Sequence, residues 1–323
     1  MDAIYRVPVE YSIRKSVASS RYLAVSTSKN TVEIFQYTHR VLRHIQTLSP
    51  PTPDESFATD IAIHNDKLLV SAPKYNVFGA VFYYKLNEVL TPQFTLIHTI
   101  LSPDSALNFG ASLSIYNDTA TIGCYNTPDI QVKRKFTYLF QLSGRRFIPR
   151  WNISDINSRP TMMTCQIHQN IVAVGPVVDY KWRTSYNLYI LDENGDIIHR
   201  IIVALPEGSH PIQMKLMDNT IVIIQGSTTA LIYKISGESC SLAQQLEIPT
   251  TSNLNLLGNL AIFHGESTAI YKKDAEDTYQ FFTNIPGSST SCSLSCSLSC
   301  SIDEPVTVTT SHDNHIEIYD ISA

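Results

Sequence analysis

The stretch Phe57–Leu86 reads FATDIAIHNDKLLVSAPKYNVFGAVFYYKL, and Phe109–Leu142 reads FGASLSIYNDTATIGCYNTPDIQVKRKFTYLFQL. The two share one plan. An apolar strand ends in Ile-His or Ile-Tyr, Asn-Asp follows, and a second apolar strand comes next. A loop then leads to a third strand carrying an aromatic residue. Asn-Asp between two β-rich runs is a tight-turn signal.

The plan recurs outward in both directions. Met162–His168 turns at Gln169-Asn170 into IVAVGP, Ile212–Met217 turns at Asp218-Asn219 into TIVIIQG, and Asn253–Leu257 turns at Gly258-Asn259 into LAIFHGE. Tyr22–Ser26 and Glu304–Thr310 read as further second strands. The third strands give the register: VEIFQY, VFYYKL, TYLFQL, NLYILD, ALIYKI, TAIYKK and IEIYDI. Phe35, Tyr84, Phe140, Tyr233, Tyr271 and Tyr319 share one position, which Ile190 takes in the fourth copy. An aromatic there would fill the wedge between neighbouring sheets. Fourth strands such as HIQTLSP, LIHTILSP, VALPEG, LEIPTT and TNIPGS end at Pro, which stops a ladder.

Seven third strands at this spacing predict seven repeats of about 40–55 residues, the period of β-propeller blades. The expected fold is therefore all-β: one seven-bladed β-propeller over 1–323, with four-stranded antiparallel blades. The blades are expected at 12–48, 57–102, 109–152, 161–204, 211–248, 252–285 and 292–322. The last copy holds three strands before the chain ends. Residues 4–11 have no blade of their own and are expected to complete it, which would remove an open edge.

FGASLSIYNDTATIGC, and LLVSAP with FGAVFYYKL, resemble FG-GAP repeats, the blades of integrin-α-type propellers. The resemblance is good over about 57–142 and fades to strand pattern elsewhere. SHDNHIEIYDIS in the last copy is more similar to the end of a WD repeat. Calcium-binding FG-GAP blades carry an Asp-x-Asp-x-Asp-Gly loop, which the matching positions lack. Asp192–Asp196 is nearest but falls between third and fourth strands, where a hairpin turn is expected instead.

Composition narrows the function classes. Charged residues are 16% and the formal net charge is −5, which gives no global field for nucleic acid or an anionic membrane. No apolar run is long enough to span a bilayer. The first ten residues lack the basic and apolar regions of a secretory signal, so an intracellular setting is expected. A low-charge propeller without calcium loops would also suit a structural component of a large DNA virus particle. No cofactor or metal is expected. No Gly-x-Ser-x-Gly, His-Glu-x-x-His or phosphate-binding Gly loop occurs.

SCSLSCSLSCSI (291–302) alternates strictly. Residues four apart on a strand lie about 13 Å apart, too far to share one zinc. A first strand with small buried thiols and a disordered low-complexity loop are the two readings of this segment. Cys124, Cys165 and Cys240 read as core. His64 and His168 match Tyr116 and Met217 in neighbouring copies, so they read as structural. Asp60, Ser112, Thr164 and Gln213 sit on first strands, where a propeller enzyme would gather its acids, and they include one acid.

The connections between first and second strands, and between third and fourth, are short. The opposite set contains long segments, and these concentrate in repeats two to four. Long loops on a rigid scaffold are where binding concentrates. Tyr75, Tyr125, Lys133, Arg134, Lys135, Tyr180, Lys181, Trp182 and Arg183 lie there, and Trp, Tyr and Arg dominate interface hot spots. The expected function is a non-enzymatic protein-interaction or structural scaffold, with no nucleic acid and no membrane insertion. The alternatives are a glycan-binding or adhesion module, and a propeller hydrolase or lyase.

Overall fold

The computed structural model describes residues 5–8, 11–19, 21–38, 41–125, 135–155, 164–178, 181–265, 267–286, 296–298, 307–312 and 315–320. All regular structure among them is β-strand.

Six sheets are each built of four consecutive antiparallel strands. Blade one comprises Ile13–Ser19, Tyr22–Thr27, Val32–Thr38 and Val41–Leu48. Blade two comprises Ile61–His64, Lys67–Ala72, Ala80–Asn87 and Gln93–Leu101. Blade three comprises Ser112–Tyr116, Thr119–Tyr125, Lys135–Ser143 and Arg146–Asp155. Blade four comprises Thr164–His168, Ile171–Val178, Thr184–Leu191 and Ile197–Ala204. Blade five comprises Pro211–Met217, Thr220–Gln225, Thr229–Ser236 and Ser239–Glu247. Blade six comprises Thr251–Leu257, Leu260–Gly265, Ser267–Lys273 and Tyr279–Pro286.

This is a β-propeller, and the expectation of seven like blades is corrected to six of the repeat type. The remaining four-stranded sheet is a composite of the two chain ends. Tyr5–Pro8 pairs antiparallel with His315–Asp320, which pairs with Thr307–His312, which in turn pairs with Cys296–Leu298. Within the Ser/Cys tract the described strand is Cys296–Leu298. Cys292 and Cys300 lie outside the described residues.

By internal packing the chain forms two compact units. One holds Met1–Ser49, Pro211–Tyr233 and Leu242–Ala323; the other holds Pro50–His210 and Lys234–Ser241. In the second unit, Leu69, Val81 and Tyr83 of blade two pack with Ile122, Tyr138 and Phe140 of blade three. Leu139 and Ile153 of blade three pack with Val172, Val174 and Tyr189 of blade four. In the first unit, Val222, Ile224 and Ile232 of blade five pack with Leu254, Phe263 and Tyr271 of blade six. The repeated third-strand aromatics Phe35, Tyr84, Phe140, Tyr233 and Tyr271 are all buried. Phe140 and Tyr271 stand in these inter-blade layers.

A β-bulge lies at or beside that third-strand position in several blades. The register shifts at Ile34/Phe35, Tyr83/Tyr84, Leu139/Phe140, Ile190/Leu191 and Ile270/Tyr271. A bulge raises local twist, as a blade requires. It also leaves one fourth-strand residue unpaired in each case: Ile45, Ile97, Arg150, Ile198 and Phe282.

Candidate functional site: the long connections of blades two to four

The first-strand polar residues lock neighbouring blades together. The Leu113 N–H donates to Asp60 Oδ2 at 2.7 Å, and the Cys165 N–H donates to Ser112 Oγ at 3.2 Å. In the other unit the Leu254 N–H donates to Gln213 Oε1 at 2.5 Å. In each tie, a side chain at or near the start of one first strand accepts from the first strand of the next blade. These contacts satisfy backbone donors that would otherwise be orphaned between sheets. Thr164 instead bonds within its own blade, to the Gly175 carbonyl at 3.1 Å.

At the other end of these strands the matching positions stack. The His64 and Tyr116 rings lie 4.5 Å apart, and the Tyr116 and His168 rings 4.7 Å apart. With Tyr116 against both, the two imidazoles cannot share one ion at about 2 Å. His64 Nε2 lies 3.0 Å from Asn117 Oδ1, and burial pushes the His64 imidazole below its usual range. Cys124 and Cys165 are buried, and burial pushes the Cys165 thiol up. Cys240 is only half-buried.

The Asp192–Asp196 segment is a turn that consumes its own carboxylate. Asp192 Oδ1 accepts the Asn194 N–H at 2.9 Å and the Asp196 N–H at 2.8 Å. The backbone bond from Asp196 leads the effects holding the Asp192 carboxyl below its ordinary value.

On the opposite ends lie the long connections. Lys181, Trp182 and Arg183 are exposed between the second and third strands of blade four. Trp182 is 66% exposed. Its backbone sits in the left-handed region at φ +63, which a bulky side chain rarely enters. The base beneath it is firm. Val178 pairs with Thr184, and the Leu205 N–H donates to the Thr184 carbonyl at 2.9 Å. A register shift between Val174 and Val177 bends the strand that leads out. Gly175 lets the buried Tyr186 ring lie against the backbone there: a Cβ would come within 2.3 Å of that ring.

Blade two carries a counterpart in the long connection 73–78. Val77 is 72% exposed at φ +74, and Phe78 beside it is also exposed. Gly79 then closes the loop at φ +99, with the Phe109 N–H donating to the Phe78 carbonyl at 2.9 Å. The two Phe-Gly-Ala copies are thus bonded to each other across blades. The segment 73–78 belongs to the long connections expected to bind, where Tyr75 and not Val77 or Phe78 was the expected contact.

The expected site residues separate into three groups. Lys181, Trp182 and Arg183 are exposed together. Tyr75 is half-buried and meets Phe82 edge-on, with ring centroids 5.6 Å apart, so part of its ring is committed to packing. Tyr125 ends the second strand of blade three opposite Lys135, which begins the third. The side chains of those two, and Lys133, Arg134 and Tyr180 entirely, lie outside the described residues.

No family model and no curated protein matches the chain. Solved structures do match. One chain in "Crystal Structure of Mitotic Checkpoint Complex" is similar at a TM-score of 0.64 and 11% identity, covering 100% of this chain and 96% of that one. A likeness at that identity shows the propeller fold alone.

Proposed function

We propose that this chain is a non-enzymatic scaffold that docks a protein partner on the long connections of blades two to four. The observation that carries the reading is Trp182, a large apolar ring held exposed on a strained backbone between two cations. Backbone strain persists where surrounding structure over-determines it, and it clusters at functional sites. Trp and Arg are the residue types that dominate interface energetics.

Two further points support it. Asp60, Ser112 and Gln213, the polar residues a propeller enzyme would turn toward a substrate, already accept inter-blade bonds. The fold also occurs in a structure titled for a complex, a use consistent with scaffolding. FG-GAP-type blades and a place in a large virus particle are the finer form of this proposal. The first rests on the bonded Phe-Gly-Ala copies, the second on low charge.

The test replaces Lys181→Ser, Trp182→Ala and Arg183→Ser together in the full chain. Partners cross-linked to the native protein are then mapped by mass spectrometry. Cross-links should fall on residues 73–79 and 181–183, and the variant should lose them. An unchanged partner set would overturn the assignment.

A further inference from the structure

We infer that the outer edge of blade three is a second docking site, separate from the long connections, and that it takes an acidic, apolar-bearing segment of a protein partner. From Phe136 to Ser154 the chain has no Asp or Glu but carries Arg145, Arg146 and Arg150. In a chain of net charge −5 this is a sharp local reversal. Arg146 and Arg150 lie on one strand, and Arg145 lies in the turn that leads into it. Arg146–Asp155 is the fourth strand of blade three and stands at the sheet edge. Arg146, Ile148, Arg150 and Trp151 are exposed on it, and Arg145 is exposed in the turn before it.

Arg150 occupies the bulge position that is Ile45, Ile97, Ile198 or Phe282 in the blades sharing that bulge. The repeat thus offers an apolar residue at this point, and blade three substitutes a guanidinium. Trp151 is 41% exposed and Ile148 47%, large apolar groups set between the charges. The adjacent fourth strand, Gln93–Leu101 of blade two, has no acid either and exposes Leu96 and Leu101. Its His98 feels Arg146: burial first, then that guanidinium, pushes the imidazole down. The carboxylate bonded to this strand is Asp104, which accepts from Asn152 Nδ2 at 3.2 Å and from the Tyr138 hydroxyl at 3.1 Å. Among the described residues no carboxylate lies within ion-pair distance of Arg145, Arg146 or Arg150.

The chemistry selects the occupant. Guanidinium groups bind carboxylates through paired, charge-assisted bonds. Simple strand addition is disfavoured, because Pro149 and the bulge at Arg150 interrupt the free edge. Recognition therefore runs through side chains. A phosphate backbone would use the arginines but leave Trp151, Ile148, Leu96 and Leu101 without an apolar counterpart. The rest of the chain, net negative, would repel an extended polyanion. A segment alternating acid with leucine-like residues uses both halves of the surface.

The test uses the full chain carrying Trp182→Phe, which leaves Trp151 as its one tryptophan. A twelve-residue peptide alternating Glu and Leu is titrated while Trp151 emission is followed. A Glu/Ser peptide and a twelve-nucleotide poly-dT serve as comparisons. The Glu/Leu peptide should bind saturably, at least tenfold tighter than either comparison, and weaken as salt rises. Changing Arg145, Arg146 and Arg150 to Ser should cost at least tenfold with an unchanged melting curve. The Lys181→Ser, Trp182→Ala, Arg183→Ser chain, followed by anisotropy of a labelled peptide, should bind as the parent does. Equal affinity after the arginine changes, tighter binding of the oligonucleotide, or loss in the loop variant would each overturn the assignment.

Discussion

The two ends of the strands in blades two to four manage the left-handed backbone in different ways. At the short turns it falls on Asn65, Asn117 and Gln169, where polar side chains follow tight-turn chemistry. At the long connections it falls on Ala58, Val77, Ser105 and Trp182 as well as Asn76 and Asn108. A β-branched or bulky residue in this region is a true outlier. The short turns are therefore relaxed joints, and the long connections hold conformations that their own residues resist. What holds them is packing beneath, and that is where substitutions should separate the two ends.

The largest difference is expected between two glycines. A Cβ on Gly79 would lie 2.4 Å from the Phe109 carbonyl oxygen and 2.8 Å from that of Pro73, both backbone. Gly258, in a short turn at φ +52, has nothing within 4 Å. Gly258→Ala should cost about 1–2 kcal/mol, the ordinary penalty of a left-handed L-residue. Gly79→Ala should cost that plus a backbone displacement, about 3 kcal/mol or more. Urea unfolding of both variants measures the gap. Equal losses would mean that the Phe-Gly-Ala contact is not tight.

Next comes the tie between blades. Asp60 is buried, and Asp60→Ala removes the acceptor for Leu113 N–H and for its own neighbour Ile61 N–H, 2.9 Å away. Leaving a buried donor unmet costs about 1–3 kcal/mol. Asp60→Asn keeps an acceptor oxygen and should recover most of the loss. A variant Asp60→Ala as stable as the parent would show that these bonds do not hold blade two to blade three.

How much of this was legible follows from where the information sits. Strand pairs, Asn-Asp turns and buried third-strand aromatics are local in sequence, and the six blades follow from them. The composite end sheet was over-counted as a seventh copy, since IEIYDI repeats a blade's third strand while SCSLSCSL repeats nothing. The ties from Asp60 and Ser112 were missed because each spans two blades, and a polar residue on a first strand reads equally well as channel lining. Trp182 was legible by type and loop position, but its strained backbone was not. Arg150 was passed over because a bulge shows only once pairing is known.

Acid should find the short-turn end first. Burial, ahead of the opposing bond to Asn117 and with Lys67 adding to it, lowers the His64 proton affinity. His98 is lowered too, by burial and then Arg146. With a folded value below the unfolded one of about 6.5, the unfolded chain takes up the proton first. Stability is then full above about pH 6.5 and declines as pH falls below it, levelling off once the folded imidazoles protonate. Guanidinium titrations from pH 7.5 to 5 should show that decline, and His64→Gln should flatten it. A slope unchanged by His64→Gln would assign the loss elsewhere.

The smallest effect has the most specific sign. Trp182→Gly relaxes the residue at φ +63 and removes an exposed ring, so it should leave stability level or raise it by up to about 1 kcal/mol. Its entropy cost in the unfolded chain works the other way, which limits the gain. Asn117→Gly, at φ 50 in a short turn, should change little, because Asn already tolerates that backbone. If Trp182 exists to dock a partner, Trp182→Gly should lose the partner while the melting temperature holds or rises. That is the trade of stability for activity seen where strain serves function. A Trp182→Gly chain that melts several degrees lower would mean that the ring braces the loop, and the docking role would then pass to Val77 and Phe78.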